Sequence, residues 1–336
     1  MAISIKDIAR AAGVSHSTVS RALADSPLVK KETKQRICRL AQEMGYSPSA
    51  IARSLVTRRT QTIGLVVTTI ADPFVAEIVR GVEETALDCG YNILLCNSNA
   101  QPQREMAAVS TLREKRVDGI IVSASRVGDL YLPLLVETGV PIVLVNNEHS
   151  GRYVYSVVTD DESGGRLATE YLLDLGHTRI GYISGPEVHR SNINRLRGYR
   201  QALQERGLTP DPHWITSGDG GARGGEEGMA RLLSLPTPPS AVFCYNDMTA
   251  IGALLAARRL GWKVPDQVSV IGYDDIYFAA YTSPALTTVE QRKYEMGSLA
   301  MQMILDLLGG ASLVENVLLP ARLVVRESCT PPERER

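Results

Sequence analysis

The spacing of apolar residues predicts two short helices at the start of the chain. Between residues 5 and 12 the apolar side chains lie at i, i+3, i+4 and i+7, the pattern of a helix with one buried face. Gly13 supplies a turn, and Ser15 is a suitable N-cap for a second helix over residues 16–23. Two helices joined by a glycine turn are typical of a helix-turn-helix, whose second helix fits the major groove of DNA.

The alternative is an ordinary helical hairpin with a solvated polar face, since such hairpins are common. The next residues favour DNA binding. A third helix predicted over residues 32–44 closes a three-helix unit, which Gly45 ends. Ser47 and Pro48 then begin a fourth helix of about two turns, too short to be stable alone in water.

These first residues resemble a known family. The run IKDIARAAGVSHSTVSRAL (5–23), followed by YSPSAIARSL (46–55), is similar to the N-terminal end of LacI/GalR-type transcriptional regulators, which include the purine and ribose repressors. The resemblance implies that Leu55 wedges into the minor groove, as apolar side chains do where DNA is bent. Arg21 is the predicted base reader, because arginine binds guanine with two hydrogen bonds. The predicted DNA-binding residues are Lys6, Ser15, His16, Ser17, Thr18, Ser20, Arg21, Lys30, Lys34, Ser49, Ala52 and Leu55.

After residue 61 short apolar runs alternate with helical stretches. Such alternation predicts parallel sheets covered on both faces, and two series of similar length predict two doubly wound lobes. The predicted strands are 62–67, 91–96, 119–124, 141–146, 155–160, 179–184, 241–246, 268–274 and 317–326. The predicted helices are 74–89, 102–116, 128–138, 161–175, 193–206, 221–235, 247–260 and 293–308.

The family resemblance extends over this body, for example at GHTRIGYISGP (176–186) and VPDQVSVIGYDDI (264–276). It implies an effector-binding core similar to periplasmic sugar-binding proteins, with a ligand between two lobes. The predicted fold is therefore α/β, with an all-α helix-turn-helix headpiece and two parallel-sheet lobes. The predicted domains are 1–46, a hinge helix and linker over 47–61, a first lobe of 62–160 with about 291–320, and a second lobe of 161–290 with about 321–330.

Charge is distributed unevenly along the chain, although the net charge is only −1. Residues 1–60 hold 11 Lys and Arg against 4 Asp and Glu, whereas the remainder holds 25 against 33. A basic head on an acidic body suits a head that contacts phosphates. The five cysteines show neither zinc spacing nor a disulfide framework, and no signal peptide or membrane-spanning run is visible. These features predict a cytoplasmic protein without metal or cofactor.

Polar side chains at the ends of the predicted strands mark the candidate ligand site. In open α/β sheets ligands bind beyond the carboxyl ends of the strands, and hydroxyls, amides and carboxylates there suit a polyhydroxylated ligand. For each residue the alternative role is a helix cap or an Asx turn. Where relatives often carry an aromatic residue this chain has Gly220, which argues against a stacked purine. The predicted ligand-binding residues, some from strand ends and some from the resemblance, are Asp72, Phe74, Ser123, Asn146, Asn147, Asp160, Arg195, Asn246, Asp274 and Gln291.

Catalysis is the weaker alternative. The acids in Asp160-Asp161-Glu162 and Asp274-Asp275 are adjacent on one backbone and point apart, whereas a glycosidase needs carboxyls that face each other across the bond. The sequence has no G-x-S-x-G elbow, no H-E-x-x-H and no P-loop. The sequence thus predicts a homodimeric repressor that binds a palindromic operator and responds to a small ligand, a sugar rather than a purine. A sugar-binding sensor without operator function and a sugar-modifying enzyme are the alternatives.

Overall fold

The computed structural model describes residues 3–23, 25–46, 59–125, 139–147, 154–187, 189–311 and 315–333. The chain divides into two compact units, Met1–Thr60 and Gln61–Arg336. The helices predicted over 48–56 and 128–138 lie outside the described residues, as do Ser49, Ala52 and Leu55.

The first unit contains three helices, α1 (Ile5–Ala12), α2 (His16–Leu23) and α3 (Lys31–Glu43). Gly13 ends α1 in the left-handed region, with φ 64°, which glycine adopts without steric cost. Ile8, Val19 and Ile37, one from each helix, are fully buried against one another. The predicted apolar face of α1 is therefore the face that forms this small core.

The first lobe contains a six-stranded parallel sheet. Its strands are β1 (Thr62–Val67), β2 (Asn92–Asn97), β3 (Gly119–Ser123), β4 (Ile142–Val145), β5 (Val154–Thr159) and β11 (Val317–Leu319). Its described helices are α4 (Pro73–Asp88), α5 (Pro102–Glu114) and α10 (Lys293–Leu308). The strand order is β11-β5-β4-β3-β1-β2. One face of the sheet packs against α4 and α10, and the other packs against α5.

The second lobe contains a four-stranded parallel sheet and a two-stranded antiparallel pair. The strands are β6 (Ile180–Ile183), β7 (Ile215–Thr216), β8 (Ala241–Cys244), β9 (Ser269–Ile271), β10 (Thr288–Glu290) and β12 (Arg322–Val324). The helices are α6 (Asp161–Asp174), α7 (Arg190–Glu205), α8 (Ala222–Leu233) and α9 (Asp247–Arg259). The larger sheet has the order β7-β6-β8-β9, and β10 pairs with β12. Helices α6 and α7 cover one face of the larger sheet, and α8 and α9 cover the other.

Strands β7 and β10 were not predicted, and two predicted elements differ from the structure by more than small shifts of their ends. The single strand predicted over 317–326 is two strands: β11 pairs with β5 in the first lobe, and β12 pairs with β10 in the second. Pro320 lies between them and has no N–H to donate, which interrupts the ladder there. Helix α7 begins at Arg190 rather than near residue 193. Its first turn is polar, so the spacing of apolar residues did not indicate the start of the helix. In the described part of the chain, no helix is both long and apolar enough to cross a membrane.

Helices α4 and α10 approach each other closely because a glycine on each faces the backbone of the other. A Cβ on Gly81 would overlap the carbonyl oxygen of Tyr294, and one on Gly297 would overlap the carbonyl oxygen of Ile78. Helix α10 begins where the chain returns from the second lobe after β10. The contact with α4 holds it against the first lobe.

We expect Gly81→Ala to destabilise the protein by about 1–3 kcal/mol, because the added methyl group must push the two helices apart. The measurement is urea denaturation followed by far-UV circular dichroism. Glu83→Ala, on the exposed face of the same helix, is the control and should change stability by less than about 0.5 kcal/mol. Equal stability of the two variants would contradict the close packing of α4 on α10.

Candidate functional site

The N-terminus of α2 forms an ordered polar surface. The Ser15 hydroxyl accepts a hydrogen bond from the backbone N–H of Thr18 at 3.2 Å. The same oxygen lies 2.8 Å from the hydroxyls of Ser17 and Thr18. Ser15 thus caps α2, as predicted, and fixes the side chains of its first turn. The cap sets the direction in which α2 presents its outward residues.

Burial separates the two faces of α2. Val19 and Ala22 are in the core of the head, whereas His16, Ser17 and Arg21 are exposed. No acidic side chain among the described residues forms an ion pair with Arg21, so its guanidinium is available to another partner. Of the remaining predicted contacts, Lys6 and Lys30 are exposed, Thr18 and Ser20 are half-buried, and Lys34 forms an ion pair with Asp25.

The predicted residues of the first lobe differ in exposure. Asp72 caps α4, with its carboxylate accepting a hydrogen bond from the N–H of Phe74 at 2.9 Å. The Phe74 ring lies in the core of the lobe, and Ser123 is also buried. Asn146 adopts φ 55°, and Asn147 donates a hydrogen bond to the carbonyl oxygen of Ser125 at 2.6 Å. Both asparagines line a cavity, whereas Phe74 serves packing in this structure.

In the second lobe Arg195 is buried within a network of protein groups. Its Nε donates to Asp161 Oδ1 at 2.8 Å, and its Nη1 donates to the carbonyl oxygen of Tyr245 at 2.7 Å. Its guanidinium carbon lies 3.7 Å from the centre of the Tyr273 ring, within the range of a cation–π contact. Burial raises the pKa of Asp161, and the Arg195 charge acts in the opposite direction. Asp161 was not predicted as a site residue, yet it holds Arg195 in place.

Asp274 lies at the point where the two lobes meet. Gln291 donates a hydrogen bond to its carboxylate at 2.6 Å, and Arg195 Nη1 lies 3.7 Å from the same oxygen. Burial raises the pKa of Asp274 to about 7; the positive charge of Arg195 lowers it and the carboxylate of Asp72 raises it. Asp72 belongs to the first lobe, so its charge acts on Asp274 from the other lobe. Direct contacts bring Arg195, Asp274 and Gln291 together.

Two further predicted residues, like Asp72, serve as helix caps. Asn246 caps α9 by accepting from the N–H of Thr249 at 2.9 Å, and its amide donates to the carbonyl oxygen of Gly220 at 2.9 Å. Asp160 caps α6 by accepting from the N–H of Ser163 at 3.0 Å. Capping was the alternative role for these side chains. Asp160 nevertheless also lines the cavity that contains the two asparagines.

That cavity has a volume of about 260 Å³ and a strongly polar lining. Asn146, Asn147 and Asp160 contribute from the side of the first lobe, and Arg190, Ser191, Asn194 and Arg197 contribute from α7. The four α7 residues were not predicted. The mostly polar stretch around Arg195 was the signal that could have indicated them. Among the described residues, no group of three or more His, Cys, Asp and Glu side chains is arranged to hold a metal ion.

Comparison with known proteins places these features in a family. The model for bacterial regulatory proteins of the lacI family matches residues 4–49, and the model for the periplasmic binding protein-like domain matches residues 169–329. The HTH-type transcriptional repressor PurR of Proteus mirabilis is 37% identical over 96% of this chain and 96% of its own length. The chain belongs to the LacI family of bacterial regulatory proteins.

Solved structures of LacI-family proteins agree in fold. A structure of the Lac repressor dimer bound to operator and an anti-inducer covers 98% of this chain and 100% of that chain, with a TM-score of 0.88 and 27% identity. A complex of the regulator CelR with cellobiose covers 97% of this chain and 99% of that chain, with a TM-score of 0.74 and 32% identity. The predicted family and fold class are confirmed. This LacI-family chain is a DNA-binding transcriptional repressor and not an enzyme.

The buried position of Arg195 generates a prediction about stability. The side chains of Arg195 and Asp161 are 2% and 7% exposed, so Arg195→Ala leaves a buried carboxylate without its partner. We expect a loss of about 3–5 kcal/mol in the free energy of unfolding. Arg197→Ala is the control on the same helix: its ion pair with Glu162 is 59% and 40% exposed, and such surface pairs contribute about 0–1 kcal/mol. Equal losses in urea denaturation would show that the Arg195 network does not stabilise the lobe.

Proposed function

We propose that this LacI-family repressor binds a palindromic operator as a homodimer and is controlled by a small polar ligand bound between its lobes. The exposed face of α2 carries the DNA-binding part of the proposal. An exposed arginine, a capped N-terminus and small hydroxyl side chains suit the base edges of the major groove. In this proposal residues 1–46 read the operator, 47–61 form the hinge, and the protein acts in the cytoplasm.

Exposed aromatic residues on the second lobe support the homodimer. Tyr277, Phe278 and Tyr281 are 69%, 51% and 70% exposed. Their rings contact one another, with centres 5.8 Å apart for Tyr277 and Phe278 and 4.8 Å apart for Tyr277 and Tyr281. A group of exposed aromatic side chains marks a surface that another protein covers. A second copy is the proposed partner, because the Lac repressor structure described above is a dimer.

The effector is a sugar or a sugar-like molecule in this proposal. Amide, hydroxyl and guanidinium groups line the cavity of about 260 Å³, and such groups pair well with the hydroxyls of a sugar. Two LacI-type neighbours support a sugar, since one was solved with cellobiose and another with ribose. A purine is the second candidate, because the curated relative PurR shares 37% identity with this chain.

Arg21→Ala tests the operator proposal. We expect a loss of about 1–3 kcal/mol in operator affinity and a relaxed preference at one base of each half-site. Lys6→Ala is the comparison, since a phosphate contact should weaken binding to all sequences alike and reduce the salt slope by about 1. Fluorescence anisotropy on an operator and on single-base variants separates the two effects. Unchanged base preference in Arg21→Ala would contradict the proposed orientation of α2.

Tyr281→Asp tests the homodimer proposal. A charge in the aromatic cluster should keep two copies apart, because burying an unpaired carboxylate at an interface is costly. We expect a monomer in analytical ultracentrifugation and a large loss of binding to an inverted-repeat operator. Ile193→Asp, which places the same charge at an exposed apolar position of α7, is the control and should remain a dimer. A dimeric Tyr281→Asp variant would place the interface elsewhere.

A further inference from the structure

Tyr245 lies at the carboxyl end of β8, where the second lobe faces the cleft. Its side chain is buried between two loops that each contribute a glycine. A Cβ on Gly185 would lie 2.5 Å from Cδ1 of the ring, and a Cβ on Gly220 would lie 3.3 Å from Cε1. Gly185 follows β6 and Gly220 follows β7, so the ring fills the space beyond the ends of three neighbouring strands.

The ring is held in this position by its surroundings. Its hydroxyl lies 2.8 Å from Ser191 Oγ, and Ser191 lines the cavity of about 260 Å³. The backbone carbonyl accepts a hydrogen bond from Arg195, whose guanidinium carbon lies 4.8 Å from the ring centre. The next residue, Asn246, donates to the carbonyl oxygen of Gly220. Side chain and backbone are thus both fixed, and the ring is a rigid wall rather than a mobile side chain.

The ring of Tyr245 lies beside Gly220, the position at which relatives often carry an aromatic residue. Gly220 leaves space on the second lobe, and the ring of Tyr245 occupies the part of that space next to the loop. The hydroxyl then meets Ser191 at the edge of the cavity. Ser191 lies between the cavity and the ring, so removal of the ring would leave space behind Ser191, next to Gly185 and Gly220.

We propose that Tyr245 limits the size of the effector: its ring closes the second-lobe end of the cleft, so that a monosaccharide fits and a disaccharide is excluded. The inference rests on the proposed function, since it requires an effector in the cleft. It adds a residue that selects among sugars by their size.

The test compares wild type, Tyr245→Ala and Tyr245→Phe by isothermal titration calorimetry without DNA. The probe is cellobiose, with ribose as the monosaccharide comparison. We expect Tyr245→Ala to bind cellobiose at least about tenfold more tightly than wild type does. Tyr245→Phe keeps the ring and should exclude cellobiose as wild type does. Circular dichroism checks that each variant is folded, and Tyr245→Val replaces Tyr245→Ala if the alanine variant is not.

The proposal is overturned if wild type binds cellobiose as tightly as the truncated variant does. A gain in Tyr245→Phe equal to that of the truncated variant would also overturn it, since the hydroxyl and not the ring would then be responsible. Operator binding by wild type is measured separately by anisotropy. Its failure would refute the proposed repressor function, whereas the titrations without DNA decide the role of Tyr245.

Discussion

The guanidinium of Arg195 is the interaction on which the cleft side of the second lobe depends. It reaches from α7 to Asp161 on α6, to the backbone at the end of β8 and toward Asp274 beyond β9. A buried cation is stable only when carboxylates and carbonyl oxygens surround it, so these elements must keep their positions relative to one another. Close approach of α6 and α7 is part of the same arrangement, because a Cβ on Gly165 would overlap the backbone of Arg195. One side chain thus joins a helix to the ends of two strands.

Asp274 connects this network to the first lobe. Gln291 holds its carboxylate, and the ammonium of Lys293 donates to the backbone carbonyls of Asp274, Asp275 and Gln291. Lys293 is the first residue of α10, which packs on α4 through Gly81 and Gly297. A ligand that binds Asp274 would therefore contact a group tied directly to a first-lobe helix. Differential binding to two arrangements of the lobes is what a ligand needs in order to shift their balance.

Local signals predicted most of the secondary structure. Helix α3 spans Lys31–Glu43 against a prediction of 32–44, and β5 spans Val154–Thr159 against 155–160. These elements carry a clear apolar period, which depends only on nearby residues. Four features carried no such period and were missed: the polar start of α7, the short strands β7 and β10, and the break at Pro320.

The sequence by itself determined the helices of the head, the alternation of strands and helices, and the polar residues that end the strands. It also predicted Arg195 and Asp274 as members of one site, and the structure places them together, although their contact with an effector stays a prediction. Only the tertiary structure decided that Asp161 neutralises Arg195 and that Tyr245 fills the space between Gly185 and Gly220. The reason is physical: partners for buried groups depend on which strands are neighbours. In the order β7-β6-β8-β9, β8 lies beside β6, far from it in the chain, and no local pattern encodes that adjacency.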